Sequence, residues 1–183
     1  INLDLMFGVP GQTWEHWLES LERTVEQSPE HISAYCLTYE EDTEFFRKRA
    51  RGEFRVVEET DAIFFERTPE VLAEAGFGAY EISNFARSGR ECQHNLAYWR
   101  GADFLGLGPS AWSTVGGERW KNAADTRAYV KSWLEHNCGV EVEREVIGSA
   151  VRQNERIAFG LRVHDGIPET WITNLIEKNR LVQ

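Results

Sequence analysis

The sequence has 183 residues, of which 42% are apolar and 27% charged, a balance typical of a soluble globular protein with one domain, or one domain and part of another. Its net charge of −10 argues against binding to a nucleic-acid backbone, and no apolar run is long enough to span a membrane. The three cysteines, Cys36, Cys92 and Cys138, lie far apart, which argues against a disulfide framework and indicates a reducing, cytoplasmic compartment.

The first forty residues are typical of a strand, a helix and a second strand. Residues 1–7 are apolar apart from one acid, and residues 14–27 carry apolar side chains at helical spacing. Residues 31–39 form a second strand-like run. This succession predicts a βαβ unit with parallel strands.

Two helices and a strand are predicted next. Thr43 caps a short helix that ends near residue 50, and a longer helix covers residues 58–75. Pro69 lies inside this longer helix and is expected to kink it or split it in two. Residues 80–85 are predicted to form a strand.

The remainder of the chain is less periodic. Residues 86–117 are rich in glycine and aromatic residues and are predicted to form a functional loop or lid. Helices follow over residues 125–136, 150–161 and 167–176. The charged segment 138–148 is the expected linker between two domains.

Two further expectations follow from the start of the sequence and from its aromatic content. The sequence opens directly on a strand without an initiator Met, so we interpret it as an internal piece of a longer protein. Seven Trp, ten Phe and five Tyr are many for this length. Most are expected in the core, and some are expected to line a pocket for a flat aromatic ligand.

Three parts of the sequence resemble motifs of one known family. Residues 2–13 resemble the Asp-Leu-Ile-x-Gly-Leu-Pro-Gly-Gln-Thr strand and turn of HemN and HemW proteins. Residues 81–87 and 92–101 resemble the family's Glu-x-Ser-Asn-Phe-Ala segment and His-Asn-x-x-Tyr-Trp motif, and residues 105–111 resemble its Leu-Gly-x-Gly-x-x-Ala turn. By these motifs the chain is identified as a member of the radical S-adenosylmethionine (SAM) proteins of the oxygen-independent coproporphyrinogen III oxidase type, closer to the HemW branch.

The resemblance implies an α/β fold in two parts. Residues 1–140 would be the C-terminal portion of a radical SAM partial (β/α) barrel. Residues 141–183 would begin a small helical domain of the HemN C-terminal type. The Cys-x-x-x-Cys-x-x-Cys motif that holds the family's [4Fe–4S] cluster is absent, and the family places it upstream of residue 1. The chain alone is therefore expected to be inactive.

The resemblance also implies a function in porphyrin metabolism. The whole protein would bind a [4Fe–4S] cluster, SAM and heme, and would act as a heme chaperone with recipient hemoproteins as partners. The alternatives are a coproporphyrinogen III oxidase, which decarboxylates propionates to vinyl groups, and a SAM-independent heme-binding module.

Asp4, Met6 and Thr38 are the candidate SAM-binding residues. Asp4 sits in an otherwise apolar strand, where an acid is costly to bury without a partner. It either binds a polar part of a ligand or accepts backbone hydrogen bonds as a structural acid. The resemblance favours binding to SAM, and by the same match it implies contacts from Met6 and Thr38.

A second group of candidates, for heme or porphyrin, falls within six residues: His94, Asn95, Tyr98 and Trp99. A neutral His nitrogen ligates heme iron, and aromatic rings pack on a porphyrin face. The alternative is a core His beside aromatic filler, and the resemblance favours the porphyrin site. Cys92 is a second candidate heme ligand, although an inert thiol is its expected role.

Overall fold

The computed structural model describes residues 1–41, 43–136, 138–139 and 141–172. The chain divides into two compact units, Ile1–Cys92 and Gln93–Gln183. Both units combine helices with strands, which confirms the predicted α/β class. The elements of the first unit are β1 (Asn2–Phe7), α1 (Trp14–Glu26), β2 (His31–Cys36), α2 (Glu44–Ala50), α3 (Glu58–Glu74), β3 (Gly78–Glu81) and β4 (Asn84–Ala86).

The predicted βαβ unit is present at the start of the chain. Strands β1 and β2 pair in parallel, with Asp4 opposite Ser33, and α1 connects them. Thr13 caps α1, because its side-chain oxygen accepts a hydrogen bond from the His16 backbone N–H. Strand β2 ends at Cys36, three residues before the predicted end.

The strand predicted at residues 80–85 is instead a tight antiparallel pair, β3 and β4. The turn between them is closed by Glu81, whose Oε1 accepts hydrogen bonds from the Ser83 backbone N–H and from Asn84 Nδ2. Strand β4 also pairs antiparallel with β2, so the sheet order is β1-β2-β4-β3. Because the hydrogen bonds of one side-chain carboxylate close this turn, the spacing of apolar residues does not indicate it.

Helix α3 continues through Pro69 and is not split in two. Proline removes one helical N–H donor. One residue earlier, the Thr68 hydroxyl donates to the Phe64 carbonyl at 2.6 Å and accepts from the Trp17 indole N–H at 2.8 Å. The bond from Trp17 holds the middle of α3 against α1.

The core of the first unit lies between one face of the sheet and helices α1 and α3. Alternate residues of β1 point to this face, so Phe7 is buried while Asp4 and Met6 are exposed on the other face. The buried apolar side chains of this core are Phe7, Trp17, Leu21, Ile32, Ala34, Phe64, Leu72, Phe77 and Phe85. The opposite face, called the polar face, carries Asn2 and Asp4 together with the exposed Met6.

The second unit contains a three-stranded antiparallel sheet of order β5-β6-β7 and three helices that begin and end within the described residues. Its elements are α4 (Gln93–Trp99), β5 (Trp112–Val115), β6 (Glu118–Asn122), α5 (Thr126–His136), β7 (Glu141–Val146) and α6 (Ser149–Gly160). Residues 169–172 are helical, and the rest of the helix predicted to residue 176 lies outside the described residues.

Two interpretations of this region are corrected. The predicted loop or lid at residues 86–117 contains helix α4, whose Tyr98 and Trp99 pack on Phe159, and strand β5, which pairs with β6. The charged segment taken as a linker contains strand β7, which pairs with β6. The division into domains at 140 and 141 stays a prediction.

The turn at residues 105–111 depends on glycine and on one buried amide. A Cβ atom on Gly106 would lie 2.0 Å from the Trp112 carbonyl oxygen, so the backbone approach there excludes any side chain. Asn122 Nδ2 donates to the carbonyls of Gly106 and Gly108 at 3.2 and 3.0 Å. These contacts explain the glycine spacing of the motif.

Candidate functional site

The polar face of the first sheet carries Asp4. Its side chain is exposed, so the cost of burial that made it notable in the sequence does not arise. Asn2, two residues earlier on the same face, donates from Nδ2 to Asp4 Oδ1 at 2.8 Å. The carboxylate is therefore oriented by a side chain of its own strand and is accessible to a ligand.

A directed chain of hydrogen bonds leads from the interior to Asp4. His31 is buried, with Nδ1 at 2.6 Å from Asn2 Oδ1 and Nε2 at 2.7 Å from the Tyr80 hydroxyl. Because an amide oxygen only accepts, Nδ1 must carry the proton and donate to it. In a neutral ring, Nε2 then accepts from Tyr80. Burial lowers the pKa of His31, which favours this neutral form, while the nearby charges of Glu81 and Asp4 act in the opposite direction.

Glu81 is a buried carboxylate on the same sheet, with 5% of its surface exposed. Its Oε1 closes the β3–β4 turn, but its Oε2 is buried and has no hydrogen-bond partner within the described part of the chain. A buried carboxylate oxygen without a donor is unfavourable. Glu81 is therefore a second acidic group of this face whose hydrogen bonding is incomplete in the described residues.

The other two candidate SAM residues are also exposed. Met6 lies on β1 two residues after Asp4, on the same face, with 41% of its surface exposed. Thr38 is exposed two residues after β2, which runs parallel to β1. The carboxyl ends of parallel strands commonly carry ligand-binding groups.

The four candidate heme residues lie on the single short helix α4. His94 and Tyr98 are four residues apart and share one face, and Asn95 and Trp99 share the adjacent face. His94 is exposed, whereas Tyr98 and Trp99 are half-buried. Helix α4 thus places an accessible imidazole one turn before a packed tyrosine.

Tyr98 is the centre of an aromatic cluster in the second unit. Its ring centroid lies 5.1 Å from Trp99, 5.3 Å from Phe104 and 5.5 Å from Phe159 of α6. Trp99 also packs on Phe159 at 5.9 Å, and the Arg162 guanidinium lies 5.3 Å from the Trp99 ring. The aromatic side chains of α4 are therefore held in place by residues sixty positions later in the sequence.

The cysteines do not form a metal site. Cys36 and Cys138 are exposed and Cys92 is half-buried, and all three are free. Across residues 1–41, 43–136, 138–139 and 141–172, no group of three or more His, Cys, Asp or Glu side chains is arranged to hold a metal ion. The described residues thus do not fit a [4Fe–4S] cluster. Within the same ranges, every helix is too short or too polar to cross a bilayer.

Several residues of these sites carried no role in the sequence. His31 has no partner at ligand spacing, and only the β1–β2 register brings it beside Asn2. Glu81 belongs to a recognised motif, but its burial depends on the fold. Arg152, Arg156 and Phe159 line a cavity in the second unit. Their helical spacing in α6 is the one sequence signal that indicates a shared face.

The fold of the chain is similar to that of a solved structure. The chain superposes on coproporphyrinogen III oxidase (HemN) from Escherichia coli, a radical SAM enzyme, with a TM-score of 0.71 and 19% identity. The match covers 88% of this chain and 40% of HemN. The predicted radical SAM fold class is therefore confirmed.

The sequence relatives include heme chaperones named HemW. The chain is 37% identical over 174 residues to HemW of Synechocystis sp. and 33% identical over 168 residues to HemW of Bacillus subtilis. These matches cover 93% and 91% of the chain but 41% and 44% of the relatives, so it spans about two fifths of their length. No family model matches the chain. The resemblance to the HemN and HemW proteins, closer to HemW, is confirmed.

Proposed function

We propose that the protein containing this chain is a HemW-type radical SAM protein that binds SAM and heme in the cytoplasm and delivers heme to hemoproteins. The observation that carries this proposal is the arrangement on α4, where an exposed His94 precedes Tyr98 by one helical turn. The identity of 31–37% to HemW heme chaperones over more than nine tenths of the chain supports it.

Heme binding needs an axial donor and a flat apolar surface. In the proposal, a ring nitrogen of His94 ligates the iron, because this imidazole is exposed and therefore accessible to a ligand. Tyr98 supplies the packing surface, and its three aromatic neighbours restrict its movement. Asn95 and Trp99, on the adjacent face, would border the ligand, and Trp99 packs on Tyr98.

SAM binding is assigned to the polar face of the first sheet. Asp4 would accept a hydrogen bond from a polar group of SAM, and Asn2 holds the carboxylate in position for it. Met6 would contact the adenine, and Thr38 would approach the adenosine. SAM supplies radical chemistry only together with a reduced [4Fe–4S] cluster. Because the described residues do not fit that cluster, this chain's part is to bind and orient SAM.

Heme titration followed by absorbance tests the proposal. His94→Ala is expected to shift the Soret band and weaken heme binding, because it removes the axial ligand. Tyr98→Ala is expected to weaken binding with a smaller spectral change, because it removes packing and not ligation. His136→Ala is the matched control, since it deletes an exposed histidine at the end of another helix of the same unit.

The outcome distinguishes ligation from a structural role. If His94→Ala leaves the Soret band and the heme affinity at the wild-type values, His94 is not the ligand and the heme assignment of α4 fails. If His136→Ala gives the same change as His94→Ala, the change is not specific to α4.

A further inference from the structure

A cavity of about 720 Å³ lies within the second unit. It is bounded by the end of α4, the segment that follows it, the three-stranded sheet and helix α6. Its volume falls in the range of about 300–1,000 Å³ that is usual for small-molecule sites. Tyr98 lines this cavity, so it connects the cavity with the candidate heme residues on α4.

One part of the cavity wall is aromatic. Tyr98, Phe104 and Phe159 line it, and the Tyr98 ring is in contact distance of the other two. Aromatic side chains arranged in this way provide apolar surface for the flat body of a ligand.

A second part of the wall is cationic. Arg152 and Arg156 line the cavity four residues apart on α6, on the same face as Glu155 and Phe159. Glu155 is already paired, because both its oxygens accept hydrogen bonds from Arg119 at 2.8 Å. Neither Arg152 nor Arg156 has a carboxylate within 4 Å in the described ranges, although Arg156 stacks on the Trp171 ring at 4.1 Å.

The balance of charge around the cavity is unusual for this chain. Four arginines line the cavity against three acidic residues, in a chain whose net charge is −10. Two of the acids, Glu145 and Glu155, are paired with Arg119, and Asp103 accepts a hydrogen bond from the Gly116 backbone N–H. Arg100 pairs with Asp165, so among the described residues Arg152 and Arg156 of α6 are the lining arginines without a carboxylate within 4 Å, although the charge of Arg152 also helps to lower the pKa of Glu155.

We propose that this cavity binds a planar, carboxylate-bearing ligand, with Arg152 and Arg156 pairing with its carboxylates and the aromatic wall packing on its flat body. The guanidinium group suits this task because its planar donors bind a carboxylate in bidentate geometry. The ligand class rests on the proposed function. A porphyrin with two propionates has both features, and His94 lies one turn from Tyr98 on α4.

The experiment compares hemin with hemin dimethyl ester, in which both propionates are blocked. Wild-type protein is expected to bind the ester at least about 10-fold more weakly than hemin, because the ester cannot form the charge-assisted hydrogen bonds. The double variant Arg152→Gln/Arg156→Gln is expected to bind hemin about as weakly as the wild type binds the ester, and to lose the discrimination between the two.

A matched control is available on α5. Arg127 and Lys131 are exposed, lie four residues apart and do not line the cavity, so Arg127→Gln/Lys131→Gln removes the same charge at the same spacing. This variant is expected to keep the discrimination between hemin and its ester.

The outcomes separate the two proposals. Wild-type protein that binds hemin and its ester equally well overturns the carboxylate assignment alone, and this comparison needs no variant to fold. Unchanged hemin affinity in the α6 double variant, with a normal circular dichroism spectrum, also overturns it. Wild-type protein that binds neither compound overturns the heme function together with this inference.

Discussion

The ion pair between Arg119 and Glu155 joins β6 to α6 beside the cavity, and its removal is expected to destabilise the protein. Arg119 donates through both terminal nitrogens to both oxygens of Glu155 at 2.8 Å, and the two side chains are only 23% and 26% exposed. The Arg119 Nη1 also approaches Glu145 at 3.4 Å. We predict the effect of Arg119→Gln, of Glu155→Gln and of the double variant.

The geometry places the coupling energy between two known limits. Exposed ion pairs contribute about 0.2–1 kcal/mol, while breaking a fully buried pair costs about 3–5 kcal/mol. A bidentate pair that is a quarter exposed should couple by about 1–2 kcal/mol. Arg119→Gln should cost more than Glu155→Gln, because it leaves two carboxylates without their cation.

The dependence on pH follows from the same hydrogen bonds. Donation by Arg119 is the main cause that lowers the pKa of Glu155 below its ordinary value of 4.5, against the opposing effect of burial. A carboxyl group with a lowered pKa in the folded state stabilises the protein above its unfolded pKa. The stabilisation is then lost as the pH falls through the folded value. The difference between wild type and Glu155→Gln should therefore shrink as the pH falls below about 4.5.

Urea unfolding of the four proteins at pH 7, followed by circular dichroism, gives the coupling energy as a double-mutant cycle. The pair between Arg144 and Glu118 is the control, because its side chains are 46% and 48% exposed and its coupling should stay below about 1 kcal/mol. A coupling between Arg119 and Glu155 no larger than that of the control pair would refute the reasoning.

Two further predictions concern the first unit. Asp4→Ala in the full-length protein should weaken SAM binding by about 1.5–3 kcal/mol in calorimetry, because one charge-assisted hydrogen bond is lost. Glu26→Ala, which removes an exposed acid, should leave the SAM affinity unchanged. An unchanged affinity in a folded Asp4→Ala protein would make Asp4 a structural residue. Thr68→Val should cost about 1–3 kcal/mol in urea unfolding, because it leaves the buried Trp17 indole N–H without its acceptor. Thr68→Ser should restore most of this stability, and equal stabilities for the Val and Ser variants would contradict the role of the hydroxyl.

The sequence predicts the first unit well where the periodicity is strong. The strand at residues 1–7, the helix from Trp14 and the parallel strand from His31 all follow from apolar spacing and are present. The β3–β4 turn was not predicted, because it is closed by a side-chain carboxylate and not by glycine or proline. Helix α3 passes through Pro69, and next to it the Thr68 hydroxyl accepts from the Trp17 indole, a tertiary contact that the local sequence pattern does not contain.

In the candidate sites, the residues that belong to contiguous motifs could be predicted, whereas those brought together by the fold could not. The candidates on α4 and β1 come from motifs that lie in contiguous sequence. The hydrogen-bond chain from Tyr80 through His31 depends on strand register. The arginines of α6 become candidate site residues only because the fold places them in the lining of the same cavity as Tyr98 and Phe104. Local patterns therefore predict which segments carry candidate residues, but not which side chains orient them.

The spacing of Arg152 and Arg156 has a consequence for how relatives of this chain can vary. In a helix, each inserted or deleted residue rotates everything after it by about 100°. A single uncharged residue inserted between the two arginines would keep both arginines and the net charge of α6, yet it would move one guanidinium away from the cavity. Changes in length on this side of the cavity should therefore be confined to the connections before and after α6. A relative that keeps both arginines but alters the interval between them should bind dicarboxylate ligands as weakly as one that has lost an arginine.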